Sequence, residues 1–436
     1  MPERRVAITG MGVVTAAGAG VEPLWQALMG GASRIKEISR FDASKFPTRI
    51  AGQLDDFSAR DFVPKDYRKA VKVMARDIEI AVAAADMAFR DSGINTRGIG
   101  GATPDVDRQR LGCNIGAGLI CTDLDELGLA VNTAVRDGKF DIKAWGESGM
   151  TNLTPLWLLK YLPNMLSCHV TIIHGAQGPS NTITCGDSSS HLAIGEAARL
   201  IARGGADVVI AGGAESKLNP MGLLRQGLLG RLCASRNDHP AKACRPFDRE
   251  HDGTVIGEGG GLLILEDLDR AKARGAKIYA QVVGFAAACD PHGMDVTRPT
   301  AGSLDLAVRA ALADAGVEPK DIDLIVAHGT AVPAEDRCES AAWLSALGGH
   351  AGKAPAVAIT GAIGSVFAGV GGVTLSVAAK AIAQQTVPPT VNFQTAADSC
   401  PLNLSATARQ EKIDYAVSGA FGIGGQSAAI VLKRCT

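Results

Sequence analysis

Residues 181–196 hold the side chains that are best suited to nucleophilic chemistry. The segment contains Cys185, Asp187, a serine run at 188–190 and His191, and its pattern predicts a strand, a sharp turn and then a helix. Such a turn places one side chain at a helix N-terminus, where unpaired amides and the helix dipole favour an anion. Because many enzymes present a thiolate or an alkoxide in this way, the turn is the first candidate for a catalytic site.

Less reactive roles also explain these residues. Serines at the start of a helix are ordinary capping residues, and no base that would activate residues 188–190 is evident. Asp187 fits a helix N-cap, whose charge is stabilised by roughly 1 kcal/mol, better than it fits a general base. Both interpretations of Asp187 stay open at this point.

Two glycine-rich segments have backbones that can turn tightly or approach a ligand. Residues 257–261 precede a predicted strand, and residues 422–425 follow one. A dinucleotide or phosphate loop instead opens a helix after the first strand, so neither segment predicts nucleotide binding. The glycines either allow close packing of inner layers or let one loop supply an amide to an oxyanion.

The composition is that of an α/β enzyme with a large core. The 436 residues are 46% hydrophobic and include 52 glycines, which disfavours the disordered class. With 44 basic and 45 acidic residues, no global field favours nucleic acid or an anionic membrane as a partner. The ten cysteines are scattered without zinc-type spacing, so we expect neither a metal nor another cofactor.

The sequence also bears on location. The segment 6–10 is strand-like, and the residues before it lack the apolar stretch of a signal peptide. No apolar run reaches the roughly 20 residues that a membrane span requires. We therefore expect a cytoplasmic protein without a membrane span.

An internal repeat organises the chain. Residues 81–94 and 307–317 are Ala-rich predicted helices with an Asp-x-Gly sequence near their ends, and each leads to a hydrophobic strand. These and the other predicted strands lie at 110–116, 207–211, 261–265, 278–283, 323–328, 356–360 and 415–418. Unless two Ala-rich helices are alike by chance, the alternation predicts a layered α/β/α/β/α fold with halves 1–268 and 269–436.

Several separate segments carry a resemblance to a known family. They are residues 245–261 with 265–266 and 274–279 behind them, and the shorter segments 211–215, 327–330, 387–392 and 421–425. In these segments and in their order, the chain resembles the β-ketoacyl-acyl-carrier-protein synthases over nearly its whole length. The resemblance implies the duplicated, five-layer thiolase fold.

The resemblance also implies a nucleophilic cysteine that takes the acyl chain, two histidines that help to decarboxylate malonyl-carrier protein, and a lysine that organises them. An ungapped alignment anchored on residues 194–195 puts Asp187 at the position of the nucleophile, with Cys185 two residues short of it. His328 matches the first histidine. Phe421 matches the phenylalanine whose amide completes an oxyanion hole with the amide of the nucleophile.

The remaining catalytic positions depart from the family. Gly361 stands at the position of the lysine, Val366 at that of the second histidine, and Val332 at that of a threonine. A carboxylate is a far weaker acyl acceptor than a thiolate, and glycine and valine side chains stabilise no enolate. Use of Cys185 would require a two-residue slip of the turn. His328 then either keeps a hydrogen-bonding role or is only a buried histidine.

This pattern of loss matches the chain-length factors, which are inactive partners of certain ketosynthases and shape the tunnel for the growing acyl chain. We therefore expect a non-catalytic subunit that pairs with an active ketosynthase, or with a second copy of itself. The alternatives are an active, divergent 3-oxoacyl synthase or acyltransferase and, third, a homodimeric acyl-binding module.

The resemblance assigns a substrate pocket as well. Leu119, Ile120 and Cys121 occupy the pocket segment, where their bulk would block the local pocket. Residues 138–166 add apolar side chains that either lie near the expected dimer face or pack in the core.

A local basic run is the predicted docking surface for acyl carrier protein. It consists of Lys65, Arg68, Lys69 and Lys72, and Arg68 and Lys69 match the family's pair that approaches the acidic carrier. Several such charges can steer association, although each contributes little by itself. A solvated helix face is the alternative.

Overall fold

The structure is a computed structural model that describes residues 4–100, 104–291 and 302–435. Strands from two consecutive parts of the chain build the main sheet. The first part contributes β1 (Val6–Thr15), β2 (Leu111–Ala117), β3 (Ser180–Ile183), β4 (Val208–Ser216) and β5 (Glu258–Asp267). The second contributes β6 (Ala280–Cys289), β7 (Leu324–Ala327), β8 (Ala356–Ala358), β9 (Tyr415–Phe421) and β10 (Gln426–Lys433).

The two sets of strands have the same topology. The first runs in the order β3-β2-β4-β5-β1 and the second in the order β8-β7-β9-β10-β6. In each set the first three strands are parallel and the last two pair antiparallel to their neighbours. A short antiparallel ladder joins the sets, with Val6, Ala7 and Ile8 opposite residues 280–282. The described residues thus contain one βα unit twice.

The helices complete five layers. Those of the first half are α1 (Arg76–Ser92), α2 (Met165–His174) and α3 (Ser189–Ala202), and those of the second are α4 (Gly302–Ala315), α5 (Pro333–Leu347) and α6 (Val370–Gln384). The pair α1 and α2 covers the outer face of the first set of strands, whereas α4 and α5 cover that of the second. Helices α3 and α6 pack on each other and contact strands of both sets. The predicted α/β/α/β/α thiolase-like fold is confirmed.

Smaller elements lie outside this repeat. The helices are Val21–Met29, Leu124–Thr133, Ile142–Ala144, Pro220–Leu228, Leu268–Ala273 and Thr360–Ile363. The short strands are Gly18–Ala19, Lys36–Glu37, Ile50–Ala51, Val135–Arg136, Lys139–Phe140, Thr386–Val387 and Arg409–Gln410. The division of the chain at 268/269 remains a prediction, and it lies where β5 passes into Leu268–Ala273.

Close backbone approach explains part of the glycine content. A Cβ on Gly371 of α6 would lie 2.5 Å from Nδ1 of His191 on α3, so only glycine lets the two central helices approach this closely. The segment 257–261 was predicted to precede a strand, but residues 258–261 belong to β5 itself. There Gly261 lies against the backbone of Gly372, which favours the packing interpretation for this segment.

One helical stretch among the described residues, Phe367–Gln384, is long and apolar enough to cross a membrane by length and composition. It consists of α6 and the turn before it, and 83% of it is buried inside the protein. Its apolar composition is therefore that of a core helix.

Candidate functional site

The turn between β3 and α3 presents Asp187 to the interior. Gly186 has a φ of 58°, in the left-handed region that glycine adopts readily. Hydroxyl groups hold the turn, because Ser189 Oγ accepts the amide of Cys185 at 2.8 Å and Ser188 Oγ donates to the carbonyl of Cys185 at 2.8 Å. Asp187 is only 6% exposed.

Asp187 does not cap the helix, contrary to the interpretation that the sequence favoured. Helix α3 begins at Ser189, the N-cap position is Ser188, and no side chain makes the cap hydrogen bond. The carboxylate of Asp187 instead lies 3.5 Å from a guanidinium nitrogen of Arg231 and 3.6 Å from Nε2 of His328. Its partner is therefore the buried cation of Arg231, 44 residues along the chain, and not the end of the helix.

Arg231 is the centre of this arrangement. It binds Glu335 through two nitrogens, at 2.7 and 2.9 Å, and donates to Oε1 of Gln226 at 3.1 Å. Burial by itself lowers the pKa of Arg231, but the carboxylates of Glu335 and Asp187 outweigh it and raise that pKa above its usual value. We call Asp187, Arg231, Glu335 and His328 the Asp187 cluster; its charges are one cation and two carboxylates beside a histidine.

His328 follows β7 and is 1% exposed. Its amide donates to Glu339 at 2.7 Å, and its ring meets the ring of Phe421 edge-on, with centroids 5.5 Å apart. Among the described residues, neither ring nitrogen has a hydrogen-bond partner. Because Nε2 lies 3.6 Å from the carboxylate of Asp187 and neither nitrogen is hydrogen-bonded there, His328 is not a core histidine with satisfied hydrogen bonds.

The C-terminal glycine loop closes the site. Phe421 ends β9, and a Cβ on the next residue, Gly422, would lie 3.1 Å from the amide nitrogen of Asp187. The loop therefore packs directly against the turn. The structure brings Asp187, His328 and Phe421 together, although they are far apart in the chain.

The two positions that depart most from the family are buried and carry no acid or base. Gly361 lies in Thr360–Ile363, and a Cβ there would lie 2.2 Å from the carbonyl oxygen of Val391, so this backbone has no room for a side chain. Val366 is packed in the hydrophobic core.

The predicted substrate residues line two cavities. Leu119, which is 62% exposed, and Cys121 contribute to a cavity of about 410 Å³, which we call the Lys217 cavity. Ile120 and Cys121 contribute to a second one of about 540 Å³, which also reaches Asp77. Both volumes are typical of small-molecule sites, so the bulk of these three residues does not fill the space around them.

Cys185 has no sign of activation. Burial raises the pKa of its thiol, and Cys289 raises it further. A thiol nucleophile needs the opposite shift.

The predicted docking residues Lys65, Arg68, Lys69 and Lys72 are all exposed. Lys65 and Lys72 lie on two short 3₁₀ turns, Lys65–Tyr67 and Ala70–Val73, just before α1, and Arg68 and Lys69 connect the two turns. None of the four makes an ion pair with a described carboxylate, and the following residues, 74–77, line the 540 Å³ cavity.

The sequence patterns did not mark three site residues, Arg231, Glu335 and Lys217. Arg231 stands in the apolar stretch 228–233, but Leu228 and Leu229 of that stretch are exposed, so it was no dependable sign that Arg231 is buried. Nothing in the sequence pairs it with Glu335, 104 residues away. In the described ranges, no group of three or more His, Cys, Asp or Glu side chains is arranged to hold a metal ion.

Comparisons with known proteins identify the relatives of this chain. The family model "Beta-ketoacyl synthase, N-terminal domain" matches residues 3–271, and "Beta-ketoacyl synthase, C-terminal domain" matches residues 279–394. The chain is 34% identical to a 3-oxoacyl-[acyl-carrier-protein] synthase 2 of Vibrio cholerae, and the alignment covers 100% of both.

Solved structures give the same result. The ishigamide ketosynthase/chain length factor is similar with a TM-score of 0.85 and 27% identity, over 100% of both chains. A type II PKS acyl-carrier protein in complex with its ketosynthase bound to the hexaketide gives 0.85 and 27%, over 99% of this chain and 100% of that one.

Proposed function

Since the chain belongs to the β-ketoacyl synthase family, we propose that it is a non-catalytic, chain-length-factor-like subunit of fatty-acid or polyketide-type chain elongation. In this proposal it pairs with an active β-ketoacyl synthase, whose cysteine carries the acyl chain. Its own contribution is to shape the space into which that chain grows.

The ion pair between Asp187 and Arg231 carries the proposal. At the position that the resemblance assigns to the nucleophile, a buried carboxylate lies 3.5 Å from a guanidinium. Acyl transfer to this carboxylate would turn it into a neutral mixed anhydride and would remove one of the two carboxylate partners of Arg231. Beside a developing oxyanion, the same carboxylate would repel the charge that an oxyanion hole must stabilise.

Enolate formation also lacks its usual support. Gly361 has no space for a side chain, and Val366 offers no hydrogen bond. Loss of one electrostatic donor typically costs roughly 3 kcal/mol in the barrier, and here two such positions are altered. His328 alone remains of the three basic groups that the resemblance implies.

Exposed apolar surface supports a protein partner. Large apolar side chains are exposed between residues 119 and 158 and again at 224–229; they include Leu119, Leu129, Ile142, Leu156, Leu158 and Leu228. Strand β3 adds an open edge, because among the described strands it pairs only with β2. Exposed apolar side chains and an open strand edge each fit a large subunit interface, with an active synthase or with a second copy of the chain.

The basic run supports the recruitment of acyl carrier protein. The four side chains are exposed and have no carboxylate partner in the described part of the chain, so an acidic carrier meets them without breaking an ion pair. A carrier bound there would lie next to the residues that line the 540 Å³ cavity.

An active, divergent synthase is the second candidate. The observation in its favour is the full-length similarity to a 3-oxoacyl-[acyl-carrier-protein] synthase 2. It would have to use Cys185, whose pKa burial raises, or proceed without a covalent intermediate.

Intact-mass analysis after incubation with acyl-carrier protein distinguishes the two candidates. We expect no acyl adduct on the chain alone and no condensation with malonyl-carrier protein. With a β-ketoacyl synthase from the same genome that keeps its cysteine and both histidines, we expect condensation, and altered product length on substitution of Leu119 or Ile120. A stable adduct that Cys185→Ala abolishes would establish the active enzyme instead.

A further inference from the structure

The Lys217 cavity has an unusual lining for an acyl pocket. Its volume is about 410 Å³, and its apolar wall consists of Leu119, Leu228 and Leu229. The polar wall contains Lys217, Arg225 and Gln226. None of the described lining residues is a carboxylate, so the cavity combines an apolar wall with two cations.

Lys217 belongs to the interior. Its side chain is 17% exposed, forms an ion pair with the buried Glu215 and lies over the ring of Phe367, 4.7 Å from the centroid. Glu215 also accepts the amide of Ala368 at 2.9 Å. Burial lowers the pKa of Lys217, but Glu215 and, more weakly, Asp187 outweigh it and raise that pKa. The side chain is therefore a cation at the cavity wall.

The ammonium retains hydrogen-bonding capacity. A lysine has three N–H donors, and among the described residues Lys217 has one hydrogen-bond acceptor, Glu215. Arg225 is exposed, and it donates to Cys121 Sγ at 3.4 Å. It makes no ion pair with a carboxylate in the described part of the chain. A ligand oxygen in the cavity would meet donors from both side chains.

A fully reduced acyl chain would use the leucines and leave the remaining donors of Lys217 desolvated without a partner, which is costly. A chain with oxygen atoms would use both walls. We propose that the Lys217 cavity binds the distal part of an acyl chain that carries ketone or enol oxygens, and that Lys217 selects such a chain over a fully reduced one. The inference rests on the proposed function only in that an acyl chain reaches this cavity.

Binding of two matched thioesters tests the selection. The probes are the octanoyl thioester of N-acetylcysteamine and the thioester of equal length with a ketone on the penultimate carbon, titrated calorimetrically into the full-length protein. We expect the ketone to bind roughly tenfold tighter, the effect of one hydrogen bond from a charged donor. Lys217→Met should abolish this preference by weakening only the ketone probe.

Two further variants control for misfolding and for nonspecific effects of charge. Lys217→Met leaves Glu215 buried without its cation, so the double variant with Glu215→Gln keeps an acceptor for Ala368 and should lose the preference with native circular dichroism. Lys143→Met, at an 82% exposed side chain, should leave the preference unchanged.

Equal affinities for the two probes, a preference that survives both Lys217 variants, or binding of neither probe would each overturn the inference. The measurement involves no catalysis or partner subunit. Its outcome is therefore independent of the adduct and condensation experiments that test the proposed function.

Discussion

Replacement of Arg231 by methionine tests whether the Asp187 cluster is held by charge. The side chains of Arg231 and Asp187 are 6% and 8% exposed, and that of Glu335 is 12% exposed. Arg231→Met would leave two buried carboxylates next to each other without a cation. Removal of one partner of a buried ion pair costs about 3–5 kcal/mol, and we expect a loss of that size in the free energy of unfolding.

Equilibrium urea unfolding, followed by circular dichroism, measures this loss. The matched control is Arg5→Met, because Arg5 pairs with Asp269 at 2.8 Å while both side chains are largely exposed. We expect this control to be indistinguishable from the unsubstituted protein. The triple variant with Arg231→Met, Asp187→Asn and Glu335→Gln removes all three charges and should recover most of the stability.

A decrease below about 1 kcal/mol in the free energy of unfolding for Arg231→Met would refute the view that the cluster is an ion pair from which water is excluded. So would a triple variant no more stable than the single one, since the penalty would then arise from packing and not from charge.

Three further predictions concern other parts of the molecule. Burial, together with Glu215, raises the pKa of Asp77 from 3.8 to about 7. Between these two values the folded state binds one proton more than the unfolded state, so the free energy of unfolding should fall as the pH rises from about 4 to about 7. Asp77→Asn should flatten this fall in urea titrations across that range. Gly361→Ala should destabilise by about 1–3 kcal/mol in the same assay, because its Cβ would overlap the carbonyl oxygen of Val391; an unchanged stability would mean that the segment moves easily. Charge reversal of Arg68 and Lys69 should weaken acyl-carrier-protein binding in a salt-dependent way in surface plasmon resonance, whereas reversal of the exposed Lys353 should not; equal effects would argue against docking at the basic run.

The sequence predicted the duplicated architecture because the signal is local. The Ala-rich segments 81–94 and 307–317 each extend two residues beyond the ends of α1 and α4, which occupy equivalent places on the two sets of strands. Strand β10 was not predicted, and β4 extends to Ser216 beyond its expected end at residue 211. Burial on both faces leaves such strands without an alternating pattern, so their ends are poorly marked in a sequence.

The site was predictable only in part. His328, Phe421 and the turn at Asp187 were found through motifs, and the structure places them together. The role of Asp187 was misjudged, because a helix N-terminus is a local cue whereas the guanidinium of Arg231 comes from 44 residues away. Lys217 was overlooked since one lysine after a strand looks like a surface residue; only tertiary structure reveals that Glu215 and Phe367 enclose it.

The central layer has a consequence for how the protein is made. Helix α3 is complete at Ala202, yet it packs on α6 and on strands β6 and β10 as well as on its own half. During synthesis, these partners leave the ribosome only after residue 280, and β10 ends at Lys433. A nascent chain that ends before α6 must therefore expose one side of α3 to water, a surface prone to aggregation. The first half can bury this side of α3 only after β10, which ends at Lys433, has been translated. We therefore expect a chain truncated near residue 268 to be a substrate for chaperones and proteases and not an isolated domain.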